Sequence, residues 1–310
     1  MLRTAFIDKS GAVRSGWRVV IFAIVASVLW TILAVPFGLL QFLTDTVMRL
    51  AGLAAVLGAS YLMLRIFHRK PLAAIGLYVR RSAVREFWLG GFIAVLMQSL
   101  VFLVQWSAGW VSLDWRDLPS QGFLLVLVLG GLYFLLVAAF EEVVFRGSAF
   151  QSLVQGMSFV PATLVMAVLF SLAHASNPNA SAFGLINVGL AALWLSVAYF
   201  KTRGLWLPIG LHFGWNFAQS TLFGLPTSGV IFNDESLVST VHAGPMWLTG
   251  GDFGPEGGFL ATIALVSCTL YILRSERVKA QEGIVTLDSS DERGPEGIVP
   301  AMDVAQREGA

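Results

Sequence analysis

The chain has 310 residues, of which 56% are hydrophobic and only 13% charged, with a mean hydropathy of +0.74 and a net charge of +1. An ordinary soluble domain carries roughly a quarter charged residues, so the composition excludes a water-soluble globular protein and puts the bulk of the chain in lipid. Nothing in the near-neutral balance suggests nucleic acid, and no nucleic-acid partner is expected; the single cysteine, Cys268, excludes an internal disulfide and a cysteine metal cluster.

A spanning helix needs roughly 20 mostly apolar residues. Segments approach that length at roughly 17–40, 46–67, 88–110, 121–140, 160–176, 183–200, 205–225 and 258–274. They predict an all-α, polytopic membrane protein of about eight transmembrane helices with an intramembrane polar site. The first segment follows Arg3, Lys9, Arg14 and Arg18 and ends without a small-x-small cleavage pattern, so an uncleaved first helix is expected. The predicted layout is a cytoplasmic N-terminal segment over 1–16, a transmembrane domain over 17–278, and a tail over 279–310. The tail is rich in Gly, Asp, Glu and Ser and holds too few bulky apolar residues to repay ordering, which predicts disorder.

Lysine and arginine are retained on the cytoplasmic side. They fall before the first segment (Arg14, Arg18), between the second and third (Arg65 to Arg85), between the sixth and seventh (Lys201, Arg203) and after the eighth (Arg274, Arg277, Lys279). The alternation closes with both ends in the cytoplasm of a plasma or inner membrane protein. Glycines within the helices are expected to serve close helix approach.

Ionisable groups in lipid are costly, and they mark function by default. The fourth segment runs without a breaker into Glu141-Glu142-Val143-Val144-Phe145-Arg146, so both carboxylates are expected on the helix. Glu142 and Arg146 stand four apart and can pair on one face, which turns Glu141 toward another partner. A surface salt bridge at a cytoplasmic helix end is the bland alternative. The fifth segment ends in Phe170-Ser171-Leu172-Ala173-His174, and a lone histidine there is commonly a packing residue. On the seventh, His212 and Asn216 share a face, where interhelical glue is the ordinary role.

Taken together, these groups on three hydrophobic segments are expected to converge. A turn at Gly156 to Ser158 would set Glu142 and His174 at similar depth, and His212 lies roughly 13 Å in from Arg203, a depth suited to a site reached from the cytoplasm. Bringing His174 level with His212 requires an extended fourth segment or a sunken outer loop near Asn177 to Asn179. Peptide hydrolysis needs a base-activated water and donors for the developing oxyanion. No Gly-x-Ser-x-Gly, Ser/Lys or Asp/Asp pattern is present. A water activated by Glu141 and oriented by His174, with His212 and Asn216 donating to the tetrahedral oxygen, is the simplest scheme. Two histidines and a glutamate are a zinc set in kind, but the dense His-Glu-x-x-His spacing is missing. Neither a metal nor another cofactor is expected.

These residues form three motifs in order: Glu-Glu-x-x-x-Arg at Glu141, Glu142 and Arg146; Phe-x-x-x-His at Phe170 and His174; His-x-x-x-Asn at His212 and Asn216. The chain thereby resembles the CPBP or ABI family of intramembrane glutamic endopeptidases, which includes type II CAAX prenyl proteases and relatives linked to bacteriocin self-immunity. The resemblance is specific over roughly 120–220. It implies Glu141 and His174 as the water-activating pair, His212 and Asn216 as the oxyanion site, Glu142 and Arg146 as supports, and no metal. The implied partners are membrane lipid and a peptide or lipidated protein, prenylated and CAAX-like or otherwise. The competing readings are a noncatalytic scaffold or immunity protein using the same cavity, and proton-coupled transport, which lacks the paired broken helices of transporters.

Overall fold

The computed structural model describes residues 5–8, 11–38, 45–116, 119–232, 236–280 and 284. The predicted disordered tail lies almost entirely outside the described residues. Uninterrupted apolar runs form helices because lipid offers no partner to an open backbone. In chain order these are α1 (Ser15–Gly38), α2 (Asp45–Met63, continued as a π turn to His68), α3 (Arg81–Ser107), α4 (Ser120–Arg146), α5 (Ser148–Met157), α6 (Phe159–Ala173), α7 (Ala182–Thr202), α8 (Trp206–Phe217, continued as a π turn to Leu222), the short α9 (Met246–Thr249) and α10 (Phe259–Arg274). Two strands, β1 (Val111–Trp115) and β2 (Val238–His242), pair antiparallel with Val111 opposite His242.

The architecture is all-α and polytopic, and each of the eight hydrophobic segments contains a helix. Among the described residues, five stretches are long and apolar enough to cross a membrane: Ser15–Val35, Thr46–His68, Arg81–Ser107, Gly122–Met157 and Ala182–Thr202. Phe159–Ala173 and Phe259–Arg274 are shorter apolar helices. Large side chains such as Ile24, Ile32, Trp88, Phe92, Leu124 and Leu132 are exposed along α1, α3 and α4, the distribution suited to lipid contact.

Several boundaries differ from the sequence-based expectation. The third segment begins at Arg81, so Arg85 and a buried Glu86 stand on the helix instead of in a basic loop. The fourth extends to Arg146 and breaks at Gly147, where a Cβ would stand 2.2 Å from the Val143 carbonyl oxygen. The chain then forms α5, which had no expected counterpart, before turning at Ser158 with φ +69°. The fifth segment stops at Ala173, leaving His174 as its C-cap.

Connections alternate between two faces. On one, the Leu205 amide bonds the Gly76 carbonyl, and the Arg18 guanidinium bonds the Gln155 side chain at 3.0 Å. On the other, β1 pairs with β2, and the Asn177 amide donates to the Ser228 carbonyl at 2.9 Å.

The helix carrying His212 and Asn216 is seated by glycine. α3 and α8 approach so closely that a Cβ on Gly210 would lie 2.1 Å from the Phe87 carbonyl oxygen, and one on Gly214 would lie 2.4 Å from that of Gly91. Small residues drive such contacts in membranes, where apolar burial between helices gains nothing over lipid. Gly210→Val is expected to cost about 1–3 kcal/mol through overpacking and to lower the thermal unfolding midpoint in detergent. Gly16→Ala, with no atom within 4 Å of the added carbon, is expected to leave it unchanged.

Candidate active site

Glu142 is the centre of the buried polar cluster. Its Oε1 accepts from Arg146 Nη1 at 3.1 Å, one turn along α4, and from His212 Nδ1 at 2.9 Å on α8. The Glu142 and Arg146 side chains are fully buried. Arg146 spends its second terminal nitrogen on the Ala192 carbonyl of α7 at 2.9 Å, and its guanidinium lies 5.1 Å from the centre of the Phe170 ring. One ion pair thus ties α4 to α6, α7 and α8.

Glu141 is rotated away from this pair, as adjacent helix positions must be. Its side chain is 20% exposed, and its Oε2 lies 3.7 Å from His212 Nε2, too long for a hydrogen bond. That oxygen makes no hydrogen bond among the described residues. His212 therefore stands between the two carboxylates, each facing a different ring nitrogen.

Phe170 organises the histidines. Its ring centre is 4.7 Å from that of His174, 6.3 Å from that of His212 and 4.9 Å from that of Phe145. His174 Nδ1 donates to the Phe170 carbonyl at 2.8 Å, one turn back, which fixes the ring and leaves Nε2 as the acceptor nitrogen. Asn216, one turn beyond His212, is buried on the same face. Glu141, Phe170, His174, His212 and Asn216 all line one cavity of about 480 Å³, so the motif residues expected to converge do so.

The depth mismatch of His174 resolves in both ways that counting allowed. α4 runs on to Arg146, and the connection after His174 sinks inward, with Asn177 lining the cavity and bonded to Ser228. That contact depends on Gly229, whose φ is +84° and whose Cβ would fall 1.9 Å from the Pro178 carbonyl oxygen.

Glu256, in the connection just before α10, stands in the cavity wall. It is buried, and its Oε2 accepts from the Ser228 backbone amide at 2.6 Å and from the Ser228 hydroxyl at 3.2 Å, while its Oε1 accepts from Trp215 Nε1 at 3.3 Å. Burial raises its carboxyl above the usual range, opposed by the Ser228 amide and by His174. The only sequence signal was a carboxylate just before an apolar helix. The loop residues in the lining, Asn177, Thr227, Ser228 and Glu256, belong to the face opposite the basic connections. The inward fold of these loops could not be read from hydropathy.

No group of three or more His, Cys, Asp or Glu among the described residues has metal-holding geometry. Removing one partner of a buried pair leaves the other charge unsatisfied, at a cost of about 3–5 kcal/mol. Arg146→Ala is expected to destabilise the fold by that amount in denaturant or thermal unfolding. Arg146→Lys is expected to recover only part of it, because a single ammonium cannot reproduce the fork to Glu142 and Ala192.

Residues 122–218 match the family model described as type II CAAX prenyl endopeptidase Rce1-like. No curated protein and no solved structure matches the chain. The matched segment holds all six polar motif residues, from Glu141 to Asn216, and over it the chain is similar to type II CAAX prenyl endopeptidases.

Proposed function

We propose that the protein is an intramembrane endopeptidase that hydrolyses a membrane-associated peptide through a glutamate-activated water. The observation that carries this reading is the disposition of Glu141. Its Oε2 has no hydrogen-bond partner among the described residues and faces His212 Nε2 across 3.7 Å, in the cavity that also holds His174. Glu141 takes a proton from water as the hydroxide adds to the scissile carbonyl. His174, its Nδ1 committed to Phe170, accepts a second hydrogen bond from that water through Nε2 and orients its lone pair. The carbonyl oxygen becomes an oxyanion stabilised by His212 Nε2–H and the Asn216 amide. For this, His212 carries protons on both nitrogens, donating from Nδ1 to Glu142. The charges of Glu141, Glu142, Arg146 and such an imidazolium sum to zero. Glu141 then returns its proton to the departing amine. Glu142 and Arg146 hold the ring in place without touching the reacting atoms.

Basic residues flank the connections on the face away from the loop lining, so in a cell membrane both termini lie in the cytoplasm and the substrate enters from the other side. The substrates suited to this entrance are peptides or lipid-anchored proteins presented at the non-cytoplasmic leaflet.

Glu141→Gln keeps shape and removes the base. It is expected to lower cleavage of a membrane-peptide panel by about 10²- to 10⁴-fold without altering thermal stability, and wild-type cleavage is expected to survive a chelator. Mass spectrometry of products reads both, and undiminished turnover by the Gln variant would refute the scheme. Sidedness has a separate check, since Cys268 is buried. In intact cells an impermeant maleimide is expected to label Ile231→Cys, 60% exposed beside the cavity loop, and to spare Val79→Cys, 96% exposed in a basic connection.

A further inference from the structure

The hydrolytic scheme leaves one carboxylate of the cavity without a role. Glu256 lies outside residues 122–218, the segment similar to CAAX endopeptidases, yet it lines the same cavity as Glu141, His174 and His212. Its backbone is clamped from behind. Asn187 of α7 donates from Nδ2 to the Glu256 carbonyl at 2.8 Å and to the Gly258 carbonyl at 2.9 Å, and its Oδ1 accepts from the Thr262 hydroxyl at 2.7 Å. The side chain then commits both oxygens to other elements: Oε2 to the Ser228 amide and hydroxyl, Oε1 to the Trp215 indole. The two N–H groups can only donate, which suits an ionised carboxylate.

These partners lead to opposite sides of the proposed reacting groups. Trp215 lies between His212 and Asn216 on α8, so its anchor bears on the helix that carries the oxyanion donors. Ser228 leads the other way. Its carbonyl accepts from Asn177 Nδ2 at 2.9 Å, and the Asn177 amide bonds the His174 carbonyl at 3.1 Å. The two loops are also joined through their backbones, where the Gly229 amide donates to the Phe253 carbonyl at 2.8 Å. Among the described residues, the titratable group that faces Glu256 is His174, from the connection after α6. Asn187 of α7, Trp215 of α8, Gln219 of its π turn and Ser228 of the loop are neutral.

We infer that Glu256 is a positioning residue whose ionised carboxylate bridges the outer loops to α8 and so sets the spacing between His174 and the His212–Asn216 face. Its catalytic consequence rests on the peptidase reading. A proton on Glu256 releases the bridge, because whichever oxygen takes it, an N–H that cannot reverse its role loses an acceptor. Burial holds the Glu256 carboxyl above the usual range. The ionised form is therefore complete only at higher pH, and as pH falls through the raised value the bridge is lost while ordinary carboxylates are still charged. These loops stand on the face opposite the basic connections, so the pH outside the cytoplasm governs the bridge.

The test uses the full chain in lipid nanodiscs as wild type, Glu256→Gln and Glu256→Asp. Amide hydrogen exchange over residues 226–230, expressed as protection factors from about pH 8 to about pH 5, reads the bridge without any need for cleavage. Wild type is expected to lose about tenfold or more of its protection on acidification. Glu256→Gln is expected to show the low value at every pH, and Glu256→Asp to keep the pH dependence in part. Protection in wild type that does not change with pH, or that equals that of Glu256→Gln at the upper limit, overturns the bridge; should the Gln variant not fold, the wild-type series and Glu256→Asp decide it. Cleavage of the membrane-peptide panel gives the second readout. The kcat of Glu256→Gln is expected to fall about tenfold below wild type at the upper pH with KM little changed, and the two are expected to converge as pH falls. Glu141 is common to both, so its own titration cancels in the ratio. A ratio that stays constant with pH refutes the positioning role while upholding the peptidase. If wild type cleaves nothing, the peptidase reading fails, and hydrogen exchange alone decides the bridge.

Discussion

A carboxylate with no access to water must be matched by donors, and Glu142 is matched by two: the guanidinium of its own helix and an imidazole from α8. In lipid neither solvent nor a stray side chain can substitute, so the requirement to satisfy this one group fixes how α4 and α8 meet. Arg146 extends the constraint, since its remaining terminal nitrogen reaches the Ala192 carbonyl and its face covers Phe170. The ring of Phe170 in turn sets His174, whose Nδ1 is bonded to the Phe170 carbonyl. The arrangement resembles the way a buried acid orients a catalytic histidine in other hydrolases: the support determines a tautomer and a direction, and the reacting group is left open.

Close backbone approach is the second condition. Gly210 and Gly214 let α8 lie against α3, so the opposite face of α8, with His212 and Asn216, is presented to α4. A larger residue at either position would push the imidazole off Glu142. Packing between helices and polar satisfaction within the site are thus one problem, because a shift of about 1 Å suffices to misplace a catalytic group.

The cavity has a polar end and an apolar length. Glu141, His174, His212 and Asn216 gather at one end, and an aromatic wall runs along α4 toward Arg49. The loops that complete the enclosure bring Glu256 into the wall, where Ser228 and Trp215 satisfy its oxygens. In the proposed scheme, a water-activating pair in a largely apolar enclosure gains strength from the low dielectric.

Residue type and spacing determined a great deal here. Unbroken apolar runs required helices, four-residue spacings put Glu142 beside Arg146 and His212 above Asn216, and polar groups too costly for lipid named each other as partners. Local rules of helix geometry suffice for such statements, since they depend only on neighbours along the chain. Tertiary structure decided what no spacing encodes. It gave Glu142, and not Glu141, the bond to His212; it broke the helix at Gly147 to make α5; it drew Asn177, Ser228 and Glu256 inward; and it set Arg49 beside Tyr133, 84 positions away. Each of these follows from contacts between elements distant in sequence, where short strands, sunken loops and single buried charges leave no periodic trace for hydropathy to detect.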